Sequence, residues 1–142
     1  MQESSLGSSG LRVSSLGLGT MTWGRDTDGD DAHTMLTDFV DAGGTVIDTA
    51  AGYADGASEV LIGDMIGSTV AREDVVLVTK AGVRTWRTSR AAVDASRGTI
   101  LSNLDSSLER LRTDHVDLLL VQAPDPSTPL EETASALEIA VS

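Results

Sequence analysis

Thr45-Val46-Ile47-Asp48-Thr49-Ala50-Ala51-Gly52-Tyr53 is a short apolar run that stops at a carboxylate and leads, through small residues, to the only tyrosine of the chain. Gly43-Gly44 precedes it. Apolar residues bounded in this way read as a buried strand running into a loop. Asp48 then sits where the strand leaves the core, and Tyr53 in the loop beyond it. In parallel α/β folds this edge of the sheet is where ligands bind. The fold therefore turns on whether other strands end in the same way.

They do. Asp74-Val75-Val76-Leu77-Val78-Thr79-Lys80 carries four consecutive aliphatic residues, which predicts burial on both faces, and it stops at a cation. Val116-Asp117-Leu118-Leu119-Leu120-Val121 repeats the pattern and stops at Gln122. Upstream, Leu16-Gly17-Leu18-Gly19-Thr20 predicts a first strand, its glycines allowing close backbone approach.

Helices are predicted between and after these strands. The first runs from Ala32 to Ala42, with Met35, Leu36, Phe39 and Val40 as its apolar stripe, and Gly43-Gly44 ends it. The second runs from about Ala57 to Ile66, is capped by Asp55 or Gly56, and shows Val60, Leu61, Met65 and Ile66 as its apolar residues. A third extends from Ser96 to Arg112 and a fourth from Leu130 to Ser142. The fourth has three start signals: Thr128 at the N-cap, Pro129 at the first helical position and Glu131 at the third. Leu6 to Val13, with Gly7-Ser8-Ser9-Gly10 inside, predicts a β-hairpin at the N-terminus. Ala81 to Ala95 predicts a long irregular loop with Arg84, Trp86, Arg87 and Arg90.

Two local motifs compete and fail. Gly17-x-Gly19 lacks the third glycine of a dinucleotide fingerprint, since Thr22 stands there and no helix start follows. Asp26-Thr27-Asp28-Gly29-Asp30-Asp31 places acids as a calcium loop does, but Asp31 replaces the required glycine and Thr37 the closing glutamate. An acidic lead-in to a helix N-terminus, favoured by the helix dipole, accounts for it. His33, at the start of that helix, reads as a surface residue.

After the hairpin the order is strand, helix, four times over. Right-handed crossovers make the four strands parallel and bring their C-terminal ends to one face. Asp48, Tyr53, Lys80 and Gln122 meet there, with Gly19-Thr20-Met21 and Trp23 beside them. A phenol, with an unperturbed pKa of about 10, is a poor acid at neutral pH. An ammonium beside it favours the phenolate, and a carboxylate keeps that ammonium charged. Tyrosine, lysine and aspartate together are thus suited to protonating a carbonyl oxygen as a hydride reaches carbon.

Composition narrows the field. The 142 residues suffice for one domain with a core, and ten basic against 22 acidic residues give a formal charge of −12. Such a field repels nucleic acid and anionic membrane surfaces. With no cysteine there is no disulfide, iron–sulfur or thiol chemistry, and no metal-ligand cluster is apparent. The N-terminus shows no signal-peptide pattern, so a cytoplasmic location is expected. Nine of the ten basic residues are arginine, leaving Lys80 as the only lysine. A compact ammonium with a tunable pKa does what a guanidinium cannot.

The hairpin Leu6 to Val13, Leu16-Gly17-Leu18-Gly19-Thr20-Met21, Ile47-Asp48-Thr49-Ala50 with Tyr53, Gly56-Ala57-Ser58-Glu59, Val78-Thr79-Lys80 and Asp117 through Pro129 together resemble the aldo-keto reductase family, in order and spacing. The resemblance implies an α/β fold, a (β/α)8 TIM barrel of which residues 1–142 form the N-terminal half: four β/α units preceded by the hairpin, which plugs the barrel bottom. It also implies an oxidoreductase that uses NADPH to reduce small aldehydes or ketones. Tyr53 would be the proton donor and Lys80 and Asp48 its tuning partners, while Thr20, Met21 and Asp48 would lie near the cofactor. Trp23, Tyr53, Trp86 and Gln122 would face the substrate.

Two departures from the family pattern shape the expectation. Gln122 stands where the family's fourth catalytic residue is usually histidine, and glutamine can hydrogen-bond a carbonyl but cannot carry a proton. A complete barrel of this type needs roughly 250 residues. Half a barrel leaves its outer strands as unpaired edges, which implies weak activity alone and either self-association or pairing with a complementary half. The alternative is a non-catalytic half-barrel or a regulatory subunit, of the kind this family contributes to potassium channels. Gln122→His in a full-length chain is expected to raise the rate of carbonyl reduction; an unchanged or lower rate counts against the assignment of this position.

Overall fold

In a computed structural model the described residues are 1–84 and 92–141. Two short strands, β1 (Glu3–Ser5) and β2 (Arg12–Ser14), form the expected antiparallel hairpin. Strand β3 (Gly17–Gly19) leads to helix α1 (Gly29–Asp41), and β4 (Val46–Asp48) leads through a 3-10 turn at Tyr53–Gly56 to α2 (Ala57–Met65). Strand β5 (Val76–Ala81) is followed by a small ribbon, β6 (Val83–Arg84) with β7 (Ala92–Val93), then by α3 (Arg97–Leu111). Strand β8 (Leu118–Val121) and helix α4 (Leu130–Ala140) complete the order. No helix among the described residues is long and apolar enough to cross a membrane.

The central sheet has the order β3-β4-β5-β8 and is parallel throughout. This is the order that successive right-handed β/α units produce in a barrel wall. On the helix side, Ile47 and Leu77 are fully buried against Leu36 of α1, Ile62 of α2 and Leu111 of α3. A second cluster of Ala81, Ala95, Ile100 and Ala136 joins β5 and the β7–α3 junction to α3 and α4. The hairpin is tied to the lower end of the sheet: the Ser14 N–H donates to Thr45 Oγ1 and Ser14 Oγ accepts from the Thr45 N–H, each at 3.0 Å. Below β8, Asp117 Oδ2 accepts from the Leu77 N–H and from Arg72, both at 2.8 Å, so a side chain extends the ladder where strand pairing ends.

Several expectations need correction. Helix α1 starts at Gly29 because Asp28 caps it, accepting from the Asp31 N–H at 2.9 Å. Met35, assigned to the apolar stripe, is exposed. In α2, Met65 is buried and Leu61 and Ile66 pack against the core as expected, but Val60 is exposed, and Ser58, Glu59, Ile62 and Gly63 complete the buried face. Gly63 lets α3 approach closely and Glu59 finds its partner in Arg110 of that helix, so small and polar residues share the buried face with the apolar ones. The cap expected at Thr128 does not form: Pro129 is the capping residue, Thr128 Oγ1 donates to Asp125 at 2.7 Å, and α4 begins at Leu130. The segment after β5 is not wholly irregular, since β6 and β7 pair antiparallel at its base.

Two glycines and one carboxylate make testable statements. A Cβ at Gly63 would strike the Arg110 carbonyl and the Leu111 backbone, whereas one at Gly98 in α3 meets nothing. Gly63→Ala should lower stability by about 1–3 kcal/mol in urea titrations, and Gly98→Ala should raise it by about 0.5–1 kcal/mol. Asp125 accepts from Thr128 Oγ1 and from the backbone N–H groups of Ala95 and Ser127, which together hold its carboxyl at about 2. A depressed carboxyl stabilises the fold fully above the unfolded value of about 4 and loses that contribution as pH falls through the folded value. Asp125→Asn should therefore melt lower than the parent at neutral pH, with the two melting temperatures converging between about pH 4 and pH 2.

Candidate active site

Asp48 ends β4, and the register places it beside Val78, two residues short of Lys80 on the same face of β5. The Lys80 side chain is 15% exposed and the Asp48 side chain 37% exposed. Lys80 Nζ donates to Asp48 Oδ1, Asp48 Oδ2 and the Thr49 carbonyl, each at 2.8 Å, and lies 3.2 Å from Tyr53 Oη. The ammonium is also 4.9 Å from the centre of the Tyr53 ring. Three of the four residues expected at the strand ends are thus in direct contact.

Backbone bonds carry the sheet geometry past the strand into the loop. Thr49 N–H donates to the Val78 carbonyl at 2.9 Å, and Ala51 N–H to the Lys80 carbonyl at 3.2 Å. The Tyr53 N–H then turns back to the Ala50 carbonyl. After Tyr53 come three left-handed residues in succession: Ala54 at φ 49°, Asp55 at φ 53° and Gly56 at φ 90°. The two without glycine's freedom cost roughly 1–2 kcal/mol each. This turn reverses the chain into α2 and leaves the half-buried Tyr53 leaning toward Lys80.

Strand alternation sends the neighbours of these residues to the opposite face. There Thr20, Thr49 and Thr79 stand at one level on adjacent strands, all fully buried. Ser58 Oγ contacts Thr49 Oγ1 at 3.1 Å and donates to Thr20 Oγ1 at 2.7 Å. Thr79 Oγ1 donates to Glu59 Oε1 at 2.6 Å, and Glu59 Oε2 accepts from Arg110 Nε at 2.7 Å. The Glu59 side chain is 0% exposed and that of Arg110 27%, so the carboxylate is desolvated, and leaving such a buried charge without its partner costs about 3–5 kcal/mol.

The other expected site residues divide. Gln122 follows β8 at the same edge, its N–H donating to the Ala81 carbonyl at 2.8 Å, and alternation from Leu120 puts it on the Lys80 face. Met21 is 57% exposed at the end of β3. Thr20, expected beside a cofactor, is not available to one: its hydroxyl donates to the Asp48 carbonyl and accepts from Ser58, and its own carbonyl accepts from Ser58 and the Trp23 N–H. Trp23, expected to face substrate, is 1% exposed and belongs to the core shared with Leu36. Its indole is large and apolar enough to be drawn inward. Trp86 lies outside the described residues. Ser58, Glu59, Thr79 and Arg110 received no role from the sequence. The signal that could have found them is the spacing of Gly56, Glu59 and Gly63, which marks one helix face that α3 must approach.

A parallel sheet whose strand ends gather a tyrosine, a lysine and an aspartate is what known proteins can now be compared with. The family model described as "Aldo/keto reductase family" matches residues 15–142. The chain is 36% identical over 143 aligned positions to aldo-keto reductase YhdN of Bacillus subtilis (strain 168), covering 97% of this chain and 43% of that protein. Among solved structures, the holo form of aldo-keto reductase AKR11C1 from Bacillus halodurans superposes with a TM-score of 0.89 at 33% identity, over 98% of this chain and 46% of the other. The thermostable aldo-keto reductase Tm1743, solved with the inhibitor epalrestat, gives 0.79 at 37% identity, over 99% and 50%. The chain spans less than half the length of the curated relative it matches. With a family model covering nearly all of it and the strand-end residues in contact, the chain belongs to the aldo/keto reductase family.

Proposed function

We propose that residues 1–142 form the N-terminal half of a barrel that reduces aldehydes or ketones to alcohols with NADPH, Tyr53 being the proton donor. The observation that carries this reading is the Lys80 ammonium, shared between both oxygens of Asp48, the Thr49 carbonyl and Tyr53 Oη. A nicotinamide bound beside Met21 and Asp48 would supply the hydride for the carbonyl carbon. Tyr53 Oη–H hydrogen-bonds the carbonyl oxygen and passes its proton there. The phenolate left behind is held by Lys80, whose charge is balanced by Asp48. Gln122, on the same face, can donate an amide N–H to the carbonyl and orient it.

The residues present fit a nicotinamide in part. Met21 and Asp48 are the exposed groups that would border it, while Thr20 has its polar atoms committed within the protein. The outer strands β3 and β8 each pair on one side among the described residues. Strands from a complementary half or a second copy would cover those edges, since an unpaired edge is a site for association.

One measurement tests the reading in a chain that carries both halves. Tyr53→Phe should lower NADPH consumption with a panel of aldehydes by roughly 10²–10⁴-fold, with little change in KM, because it deletes the proton donor and keeps the ring. A Tyr53→Phe enzyme that still turns over at the parent rate would remove Tyr53 from the chemistry and favour the non-catalytic alternative.

A further inference from the structure

The geometry points to Glu59 and Arg110 as positioning residues for the Tyr53–Lys80 pair, through an ion pair with a fully buried carboxylate that touches both arms of the site from behind. One arm is the strand. Glu59 Oε1 takes the Thr79 hydroxyl at 2.6 Å, and Thr79 is the residue immediately before Lys80 in β5. The other arm is the turn. The Arg110 side chain lies against Gly56, with Cδ and Nε at 2.7 and 2.8 Å from where a Cβ would be. Gly56 is the last of the three left-handed residues that follow Tyr53.

Those two contacts meet at one carboxylate. Glu59 Oε2 accepts from Arg110 Nε at 2.7 Å, with Nη2 also at 2.7 Å. Fully buried, Glu59 has no water to exchange for either bond, so both are directional and persistent. A strained turn holds its shape only where its surroundings over-determine it. Here the guanidinium is the wall beneath Gly56, and the carboxylate fixes that guanidinium relative to β5. The distance from Tyr53 Oη to Lys80 Nζ is thereby set by atoms that touch neither substrate nor cofactor. Its catalytic meaning rests on Tyr53 being the proton donor; the placement of the tyrosine does not.

The sequence supplies the probe, because Tyr53 is the only tyrosine. Chain 1–142 labelled with [13Cζ]tyrosine gives one resonance from the phenol carbon, and Lys80→Met supplies the reference for loss of the ammonium contact. The double variant Glu59→Gln/Arg110→Met removes both charges together and leaves no ion unpaired. It should retain the parent circular dichroism while the Tyr53 resonance moves toward the Lys80→Met position or splits. Arg110→Lys keeps a cation for Glu59 but loses the planar fork under Gly56, and should move the resonance in the same direction. Arg112→Met breaks the exposed pair with Asp64 between the same two helices and should leave the resonance in place. An unmoved resonance in a folded double variant or in Arg110→Lys overturns the proposal, as does an equal shift in Arg112→Met, which would make the signal one of general loosening. The resonance reads position alone and the Tyr53→Phe assay reads chemistry alone, so failure of one is distinct from failure of the other.

Discussion

The Lys80 ammonium is the group on which the arrangement of this protein's site depends. A positive charge at 15% exposure must be surrounded by acceptors, and here it has the Asp48 carboxylate, one backbone carbonyl and one phenol oxygen. The acceptors come from the last residue of β4 and the chain just past it, while the ammonium comes from β5. The two strands must therefore be neighbours, parallel and in one register for the charge to be satisfied. A slip of one residue would turn Lys80 toward the helices and Thr79 outward. The register that buries Ile47 and Leu77 against the helices is the same one that brings Asp48 to Lys80. Hydrophobic burial and charge pairing thus select the same structure, which is the agreement between levels that gives a sequence one fold.

The layer between sheet and helices is unusual for being polar at one level. Leucine, isoleucine and valine fill the space below it, but Thr20, Thr49 and Thr79 meet Ser58 and Glu59 directly behind the strand ends. Buried hydroxyls and a buried carboxylate are costly unless each finds a partner. They do so among the described residues, where no buried side-chain polar atom lacks one. Directional bonds hold atoms to tenths of an ångström where apolar packing alone permits sliding. The layer lies immediately behind Asp48, Tyr53 and Lys80.

Membership of the aldo/keto reductase family gives the half-sheet its context. The related solved structures superpose on this chain over about half their own length. In barrels of this kind the residues that do chemistry stand at the C-terminal ends of the strands, and those at the opposite end maintain the fold. Here Asp48 and Lys80 stand at the upper end, and Asp117 with Arg72 and Leu77 at the lower. Asp117 and Asp48 are both carboxylates paired with a cation, yet one completes a strand ladder and the other shares its cation with a phenol.

Sequence alone determined the order of elements, the parallel sheet and the three residues that meet at its edge. Aliphatic runs ending in a polar residue mark buried strands, and right-handed crossovers leave little choice in how they stack. What it could not determine was which neutral-looking residues serve the site. Trp23 and Thr20 looked like site residues because they follow a strand, but one is drawn into the core by its apolar area and the other by its hydrogen bonds. Glu59 carries no burial signal in the sequence and Val60 beside it reads as part of the apolar face, yet Glu59 is buried and Val60 exposed. Only the tertiary structure decided this. The partner that makes Glu59 tolerable is Arg110, 51 positions away, and no local pattern encodes a contact across that distance. The strained turn after Tyr53 is no more legible locally: aspartate tolerates the left-handed region but alanine does not favour it, and the turn ends at Gly56, which packs against the same Arg110.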